Sequence, residues 1–381
     1  MSVWDELVGQ DKTVSLLRRV AASGKPNHAW LFSGAPGSGR SNVARSFAAA
    51  LNCENGTGCG VCKTCTLILA GSHPDATIMA TDKVTISIEE VRELILQSYD
   101  RPSTAPWRII LVEDADRMTE RTSNVLLKAL EEPAPRTIWM LCAPSPIDLQ
   151  ATIRSRCQTI TLAVPNATQI AKLLNARDGI PEETAYKMAQ ISQGHIGVAK
   201  WLATSEQARN RRAQILSIPA QVSTVGQAVR AADFIVKIAK EDAEFSLGEF
   251  TEKEKAQVLH ANGLTENDKL PPHVRAQLRK IDADQKRRAT RGQKDTLDRI
   301  MLDILSFYRD VLWYQLGVTA QYINVDMEDN IKDFATKYKT KDTLKCIEAI
   351  TTARKRLITN AAVLLTIEAM VLALVHSNDK Y

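Results

Sequence analysis

Four of the seven cysteines crowd into one short segment, as Cys53, Cys59, Cys62 and Cys65. Four thiolates so close in sequence form a complete tetrahedral donor set, and Gly56, Gly58 and Gly60 supply the tight turns that wrapping a small ion demands. This donor set favours zinc. With every position filled by protein no place is left for water, so the metal would be structural. Redox chemistry is the other use of a Cys-x-x-Cys pair, but two further cysteines at matching spacing favour metal. Cys142, Cys157 and Cys346 stand alone and read as core residues.

A second group of residues is suited to phosphate. Gly34-Ala-Pro-Gly37-Ser-Gly39-Arg40-Ser41 follows an apolar run and precedes the helical pattern 42–51, the strand, loop and helix order of a Walker A motif. Such glycines let backbone amides curl around phosphates at a helix N-terminus, and Ser41 stands where a magnesium ligand is needed. The usual lysine is replaced by Arg40, whose planar guanidinium on a longer stem does not occupy the same point. The change argues against catalysis and leaves binding of ATP or ADP with magnesium open. A third group ends another apolar run, Ile109–Val112, with Glu113 and Asp114. Open α/β sheets bind ligands at the carboxyl ends of their strands, and this is the Walker B position. A hydrolytic site needs Asp for magnesium and then Glu for water, whereas here the two acids stand in the opposite order. Each side-chain reach changes by a methylene, and placement errors of that size cost on the order of a hundredfold in rate. The alternative is an acidic strand end that caps the next helix.

The elements that must carry these groups are legible as periodicity. Residues 28–33, 76–79, 108–112, 138–143 and 159–162 read as short buried strands between helical patterns, which predicts a parallel sheet covered by helices. Ser87 with Glu90 predicts a capping box, and Thr119 opens a helix that stops at Pro133. Pro165 closes the block, and 167–202 has the pattern of a small helical lid. Residues 252–294 are highly charged around Pro271-Pro272 and read as a linker region. Beyond it Leu297, Met301, Ile304, Leu305, Tyr308 and Leu312 share one helical stripe, and 361–375 is apolar nearly all round, the mark of a helix buried in a bundle. The expected domains are 1–165, carrying the cysteine module 53–65, a lid 166–225, and a helical region 226–381.

Composition sets the outer bounds. A chain of 381 residues with 44% hydrophobic and 24% charged residues has material for two or three cores, which excludes a disordered chain. The net charge of +5 permits contact with nucleic acid without marking a dedicated binder. The charged start and the interruption of 361–375 by Glu368 argue against a signal peptide or a membrane span, and the expected location is cytoplasmic.

Ser72-His73-Pro74-Asp75, Ser123-Asn-Val-Leu-Leu-Lys128-Ala-Leu-Glu131-Glu132-Pro133 and Ser155-Arg156-Cys157, together with the cysteines, resemble the bacterial clamp-loader subunits of the AAA+ family, and the set as a whole resembles their delta-prime type. The match covers residues 1 to about 202. Beyond that it rests on helical character and on 360–374, which resembles a collar helix. The resemblance implies a P-loop parallel sheet with a helical lid and an all-helical C-terminal collar domain. It places Leu7-Val8-Gly9-Gln10 at an adenine pocket. It also implies a hetero-pentameric ring with gamma/tau-type ATPase subunits and a delta subunit, which loads a sliding clamp on primer-template DNA. In that setting Arg156 would act in trans on a neighbour's ATP, and an intradomain salt bridge is the other role open to it. Departures from the active pattern converge on one pocket: Arg40, the exchanged acids, Cys142-Ala143-Pro144 without a polar sensor, and Gly197 where active subunits carry an arginine. They imply a stator-like subunit without ATPase activity of its own. A working ATPase of the gamma/tau type is the alternative. A zinc and nucleic-acid module using Lys286, Arg287, Arg288, Arg291 and Lys294 is a third reading, weakened because no aromatic residue interrupts that run to stack on bases.

Overall fold

The computed structural model describes residues 2–81, 85–261, 271–319, 321–358 and 361–375, with no side-chain detail for 245–261, most of 272–288, and 358. The chain divides into two units, Met1–Thr204 and Ser205–Tyr381.

In the first unit the strands are β1 (Ala29–Ser33), β2 (Ala76–Ala80), β3 (Arg108–Glu113), β4 (Thr137–Ala143) and β5 (Gln158–Thr161). Each lies within a residue of its expected run. They form a five-stranded sheet in the order β2-β3-β4-β1-β5, and every pairing is parallel. β1 and β4 are buried along their whole length, which is why both read as continuous apolar runs instead of alternating ones. Helices α1 (Asp11–Ser23), α2 (Arg40–Leu51), α3 (Lys63–Leu69), α4 (Ile88–Ser98), α5 (Glu120–Glu131) and α6 (Ala151–Arg154) surround the sheet. One face buries Trp30, Phe32, Ile109 and Met140 with Leu17 and Phe47, and the other buries Leu31, Ile110, Val112 and Leu141 with Leu126 and Leu130. Each such side chain contributes about 1.5–3 kcal/mol on burial. The expected capping box on α4 is present, with Ser87 accepting from Glu90 N and the Glu90 carboxylate accepting from Ser87 N at 2.8 Å.

The lid helices are α7 (Ala167–Asp178), α8 (Glu182–Ile191) and α9 (Ile196–Thr204). Asn166 caps α7 reciprocally with Gln169, and Gly179 ends it at φ 68°, a left-handed turn that suits glycine. Ile170, Leu174, Ile180, Ala185, Ala189 and Ala199 make a small core of their own.

The second unit holds α10 (Glu206–Gln221), α11 (Val225–Ala261), α12 (Pro272–Gln315), α13 (Glu328–Lys337), α14 (Thr340–Ile358) and α15 (Val363–Ala373). Most of the expected stripe is there: Leu297, Met301, Ile304 and Tyr308 are fully buried with Phe307 and Val311, against Ile235, Phe334, Ile350 and Ile367, whereas Leu305 and Leu312 are only partly buried. Two expectations differ from the structure. The charged stretch 252–294, read as a linker, runs within α11 and α12 apart from Pro271, which precedes α12, and 262–270, which lie outside the described residues, as do the side chains of Lys286, Arg287 and Arg288. Its Lys, Glu, Gln and Arg are good helix formers, and Pro272 opens α12 at the first turn, where a missing N–H costs nothing. The last helix, read as buried all round, hides Thr366, Ile367, Met370 and Val371 but exposes Leu364, Leu365 and Leu372. A helix buries only the faces that have neighbours, and α15 packs on α11 and α14.

Candidate functional site

The glycine loop bends as its sequence requires. Gly37 and Gly39 adopt φ of 83° and 85°, and α2 starts at the next residue. Arg40 turns back on the loop, its Nη1 donating to the Gly34 carbonyl at 2.8 Å and its Nη2 lying 3.4 Å from Asp114 Oδ1. One turn along α2, Arg45 pairs with Glu113, with Nη2 2.9 Å and Nε 3.0 Å from Oε1. Arg117 adds a longer approach of 3.9 Å to Asp114. The two acids at the end of β3 therefore already face cations from their own chain. Asp114 holds a left-handed backbone at φ 54°, a strained setting for a residue with a Cβ.

The lid closes over the same loop. A Cβ on Gly37 would lie 2.3 Å from His195 Cγ and 2.6 Å from its Cα, so His195 at the start of α9 abuts the loop where only glycine leaves room. His195 Nδ1 accepts from Val198 N at 3.2 Å, and a Cβ on Gly197 would meet the same ring at 3.3 Å. Gln10, almost fully buried, pairs both ends of its amide with the backbone of Ala163, donating to the carbonyl at 2.7 Å and accepting from the N–H at 3.1 Å. The segment matched to an adenine pocket thus pins the chain as it leaves β5 for the lid. Cys142, at the end of β4, is fully buried, and burial, followed by the nearby Glu113 charge, pushes its thiol well above the ordinary range. Asp116, raised by burial and by Asp114, shares that neighbourhood.

A competent Mg·ATP site keeps its carboxylates for metal and water and its cation for the terminal phosphates. Here both carboxylates are ion-paired and the loop cation is bonded to the loop itself. In this arrangement the groups that would hold Mg·ATP are engaged with one another.

Arg156 follows α6 on the turn into β5. Its Nη1 donates to the Thr152 carbonyl at 2.7 Å and to Ser155 Oγ at 3.3 Å, and its Nη2 meets the Glu131 carboxylate at the end of α5. The intradomain ion pair weighed for this region is present, and Arg156 itself makes it. The side chain remains about a third exposed.

The four expected cysteines come together, with all four Sγ atoms within 4.8 Å of one another. Gly56, Gly58 and Gly60 adopt φ of 68°, 70° and 72°, turning backbone N–H groups onto the sulfurs: Cys59 N to Cys53, Cys62 N to Cys59 and Cys65 N to Cys62, at 3.3–3.4 Å. Burial opposes ionisation of Cys53, but the N–H groups of Cys59, Thr57 and Asn55 outweigh it and bring the thiol down to about 6. Backbone donors lower Cys59 as well, whereas burial raises Cys65. A thiol set that ionises in part and is bonded by amides fits a soft divalent ion. The N-terminal segment straps the loop down: Val3 N donates to Gly58 O at 3.0 Å, Trp4 Nε1 to Thr57 O at 3.3 Å, and Ser46 Oγ to Val3 O at 2.7 Å.

Three residues carry roles that the sequence did not announce. Arg45 pairs with Glu113, and His195 fills the space over Gly37. Asp75, 1% exposed, accepts five hydrogen bonds from Ser103, Thr104 and Ala105 at 2.7–3.0 Å, fixing the loop before β3. A second arginine on the helix behind a glycine loop, opposite two strand-end acids, was the available signal for Arg45. Nothing in the sequence singles out the pairing of Asp75 with residues far along the chain.

A parallel sheet in this order, with a glycine loop after β1, acids after β3 and a helical lid, defines an AAA+ P-loop module. Residues 9–166 match the family described as DNA polymerase III, delta subunit, and 291–372 match its C-terminal domain. Together the two models place the chain in the DNA polymerase III delta subunit family, and its curated relatives include proteins named delta′. It is 33% identical over 199 residues to the Yersinia pestis DNA polymerase III subunit delta′, covering 50% of this chain and 56% of that one. It is 31% identical over 202 residues to the Escherichia coli K12 subunit delta′, covering 51% and 60%. To the Haemophilus influenzae subunit tau/gamma it is 32% identical over 199 residues, covering 50% and 29%. The chain thus spans less than two thirds of these relatives' own lengths.

Proposed function

We propose that this chain is a non-hydrolysing, stator-like subunit of a replicative clamp loader, working in the cytoplasm in a hetero-pentameric ring with gamma/tau-type ATPase subunits and a delta subunit. The ring loads a sliding clamp on primer-template DNA. One observation carries the reading: Glu113 and Asp114, the acids a hydrolytic site needs, are each paired with an arginine of their own P-loop helix. Arg156 serves a neighbour instead, where its planar fork stabilises charge on the transferring phosphoryl group. Cys53, Cys59, Cys62 and Cys65 hold a structural zinc.

The test has two arms. The isolated chain is expected to turn over ATP far below the typical enzyme scale of about 1 per second, and Arg40→Lys alone is expected not to restore it, because Arg45 still neutralises Glu113. Steady turnover would favour the gamma/tau-type alternative. In the reconstituted complex, Arg156→Ala should leave assembly intact while lowering DNA-stimulated hydrolysis and, further, clamp loading. A trans arginine is worth about 10³ or more at the site it serves, diluted in a ring with several sites. Arg156→Lys should fail too, since an ammonium lacks the two-pronged geometry. Wild-type loading by both variants would remove Arg156 from the mechanism.

A further inference from the structure

Arg156 is engaged with its own chain in a way that bears on how it could reach another. Both terminal guanidinium nitrogens, the pair that grips two phosphate oxygens in a bidentate contact, already have partners: Nη1 the Thr152 carbonyl and Ser155 Oγ, Nη2 the Glu131 carboxylate. The observed rotamer is a docked one. Its main anchor is oddly placed. Glu131 is the last residue of α5 and Glu132 its C-cap, so two carboxylates stand at the end of a helix where exposed backbone carbonyls make negative charge unfavourable. A cation at that spot relieves the conflict, and Arg156 is the cation that pairs with Glu131 there. The pair is nevertheless weak by location. Its side chains are 34% and 46% exposed, and exposed ion pairs shift equilibria only modestly. A phosphate carries more charge than a carboxylate and accepts the same fork, so it can displace Glu131 once it is brought within reach.

We propose that Glu131 is the positioning residue of Arg156. It holds the guanidinium on its own chain until the terminal phosphate of a neighbouring subunit's nucleoside triphosphate takes its place. This rests on the reading of Arg156 as a trans-acting group. The exchange is one of ion-pair partners, with no covalent step. Glu131 therefore sets how readily the arginine engages when the ring is not tightened by DNA, and it lowers unstimulated hydrolysis.

The experiment is ATP hydrolysis by the reconstituted complex with and without primed DNA, carrying Glu131→Ala, Glu131→Gln, Arg156→Ala, or Glu131→Ala with Arg156→Ala. Assembly of each complex is checked by size-exclusion chromatography. Glu131→Ala is expected to raise the DNA-free rate by about two- to fivefold, the range an exposed ion pair can shift an equilibrium, and so to shrink stimulation by DNA. Glu131→Gln, which keeps the shape and loses the charge, should behave alike. The double variant should fall to the level of Arg156→Ala. A merely structural Glu131 would leave the rate unchanged or lower it, and either outcome in an assembled complex overturns the proposal. The two readings separate cleanly. If Arg156→Ala leaves hydrolysis at the wild-type rate, the trans-acting role falls and this proposal with it. If Arg156→Ala lowers the rate but Glu131→Ala does not raise it, only the role of Glu131 falls.

Discussion

Asp75 shows how much one residue can fix. Burial opposes its charge, yet hydrogen bonds from Ser103, Thr104 and Ala105 outweigh that cost and hold the carboxyl well below the usual range. A carboxyl lowered in the folded state stabilises the fold fully above its unfolded pKa of about 4, and that contribution is lost as pH falls from there toward the folded value. Asp75→Asn should therefore cost about 2 kcal/mol at neutral pH and flatten the decline in stability below pH 4. Denaturant titrations of both proteins from pH 7 to pH 3 would check this. Equal losses at both ends would mean that the carboxylate charge contributes nothing. Arg40 and Arg45 make a related point. Arg40 stands in the phosphate loop by sequence, yet it and Arg45 each have a partner within the chain.

At the scale of elements, the cysteine loop has little apolar packing of its own to hold its shape: Val61 points outward, 71% exposed, and the loop is tied to the rest through Val3, Trp4 and Ser46. Four sulfurs within 4.8 Å would repel once ionised unless a cation sits among them. One zinc per chain is the expected result of metal analysis on protein prepared without chelator. Cys62→Ser should release it and open the 53–65 segment to proteolysis, since structural zinc contributes on the order of 10 kcal/mol of local folding energy. The anchoring contacts of Val3 and Trp4 should loosen with it, which Trp4 fluorescence would report. Metal-free protein with an equally protected segment would defeat the zinc reading. The lid teaches the complementary lesson. Its helices were legible from periodicity, whereas the seating of His195 against Gly37 depends on how two separate cores meet the loop.

At the scale of the whole molecule, the helical unit is held by apolar packing around one polar hub. Asp310 and Asn324 are completely buried; Asp310 accepts from Ile323 N at 3.2 Å and from Asn324 N at 2.9 Å, and Asn324 Nδ2 reaches Ser306 Oγ at 3.1 Å. Arg212 of α10 joins through Asn324 and through Asp303 at 3.1 Å. Asp310→Ala strands buried donors and should cost about 3 kcal/mol, seen as a lowered denaturation midpoint of the full chain. A loss below about 0.5 kcal/mol, the scale of an ordinary surface change, would show the hub to be dispensable. No described helix is long and apolar enough to cross a membrane. What the sequence determined by itself is whatever depends on near neighbours or on composition. The strands follow from apolar runs, the caps of α4, α5 and α7 from Ser87, Thr119 and Asn166, the phosphate-type loop from its glycines, and the thiol cluster from close spacing. The tertiary structure decided which polar groups meet: Arg45 with Glu113, Arg156 with Glu131, Asp75 with Ser103, and Arg212 with Asp303. It also decided that α15 keeps an exposed apolar face. The reason is physical: backbone preference and periodicity act over a few residues, whereas an ion pair or a covered helix face exists only after distant segments have packed.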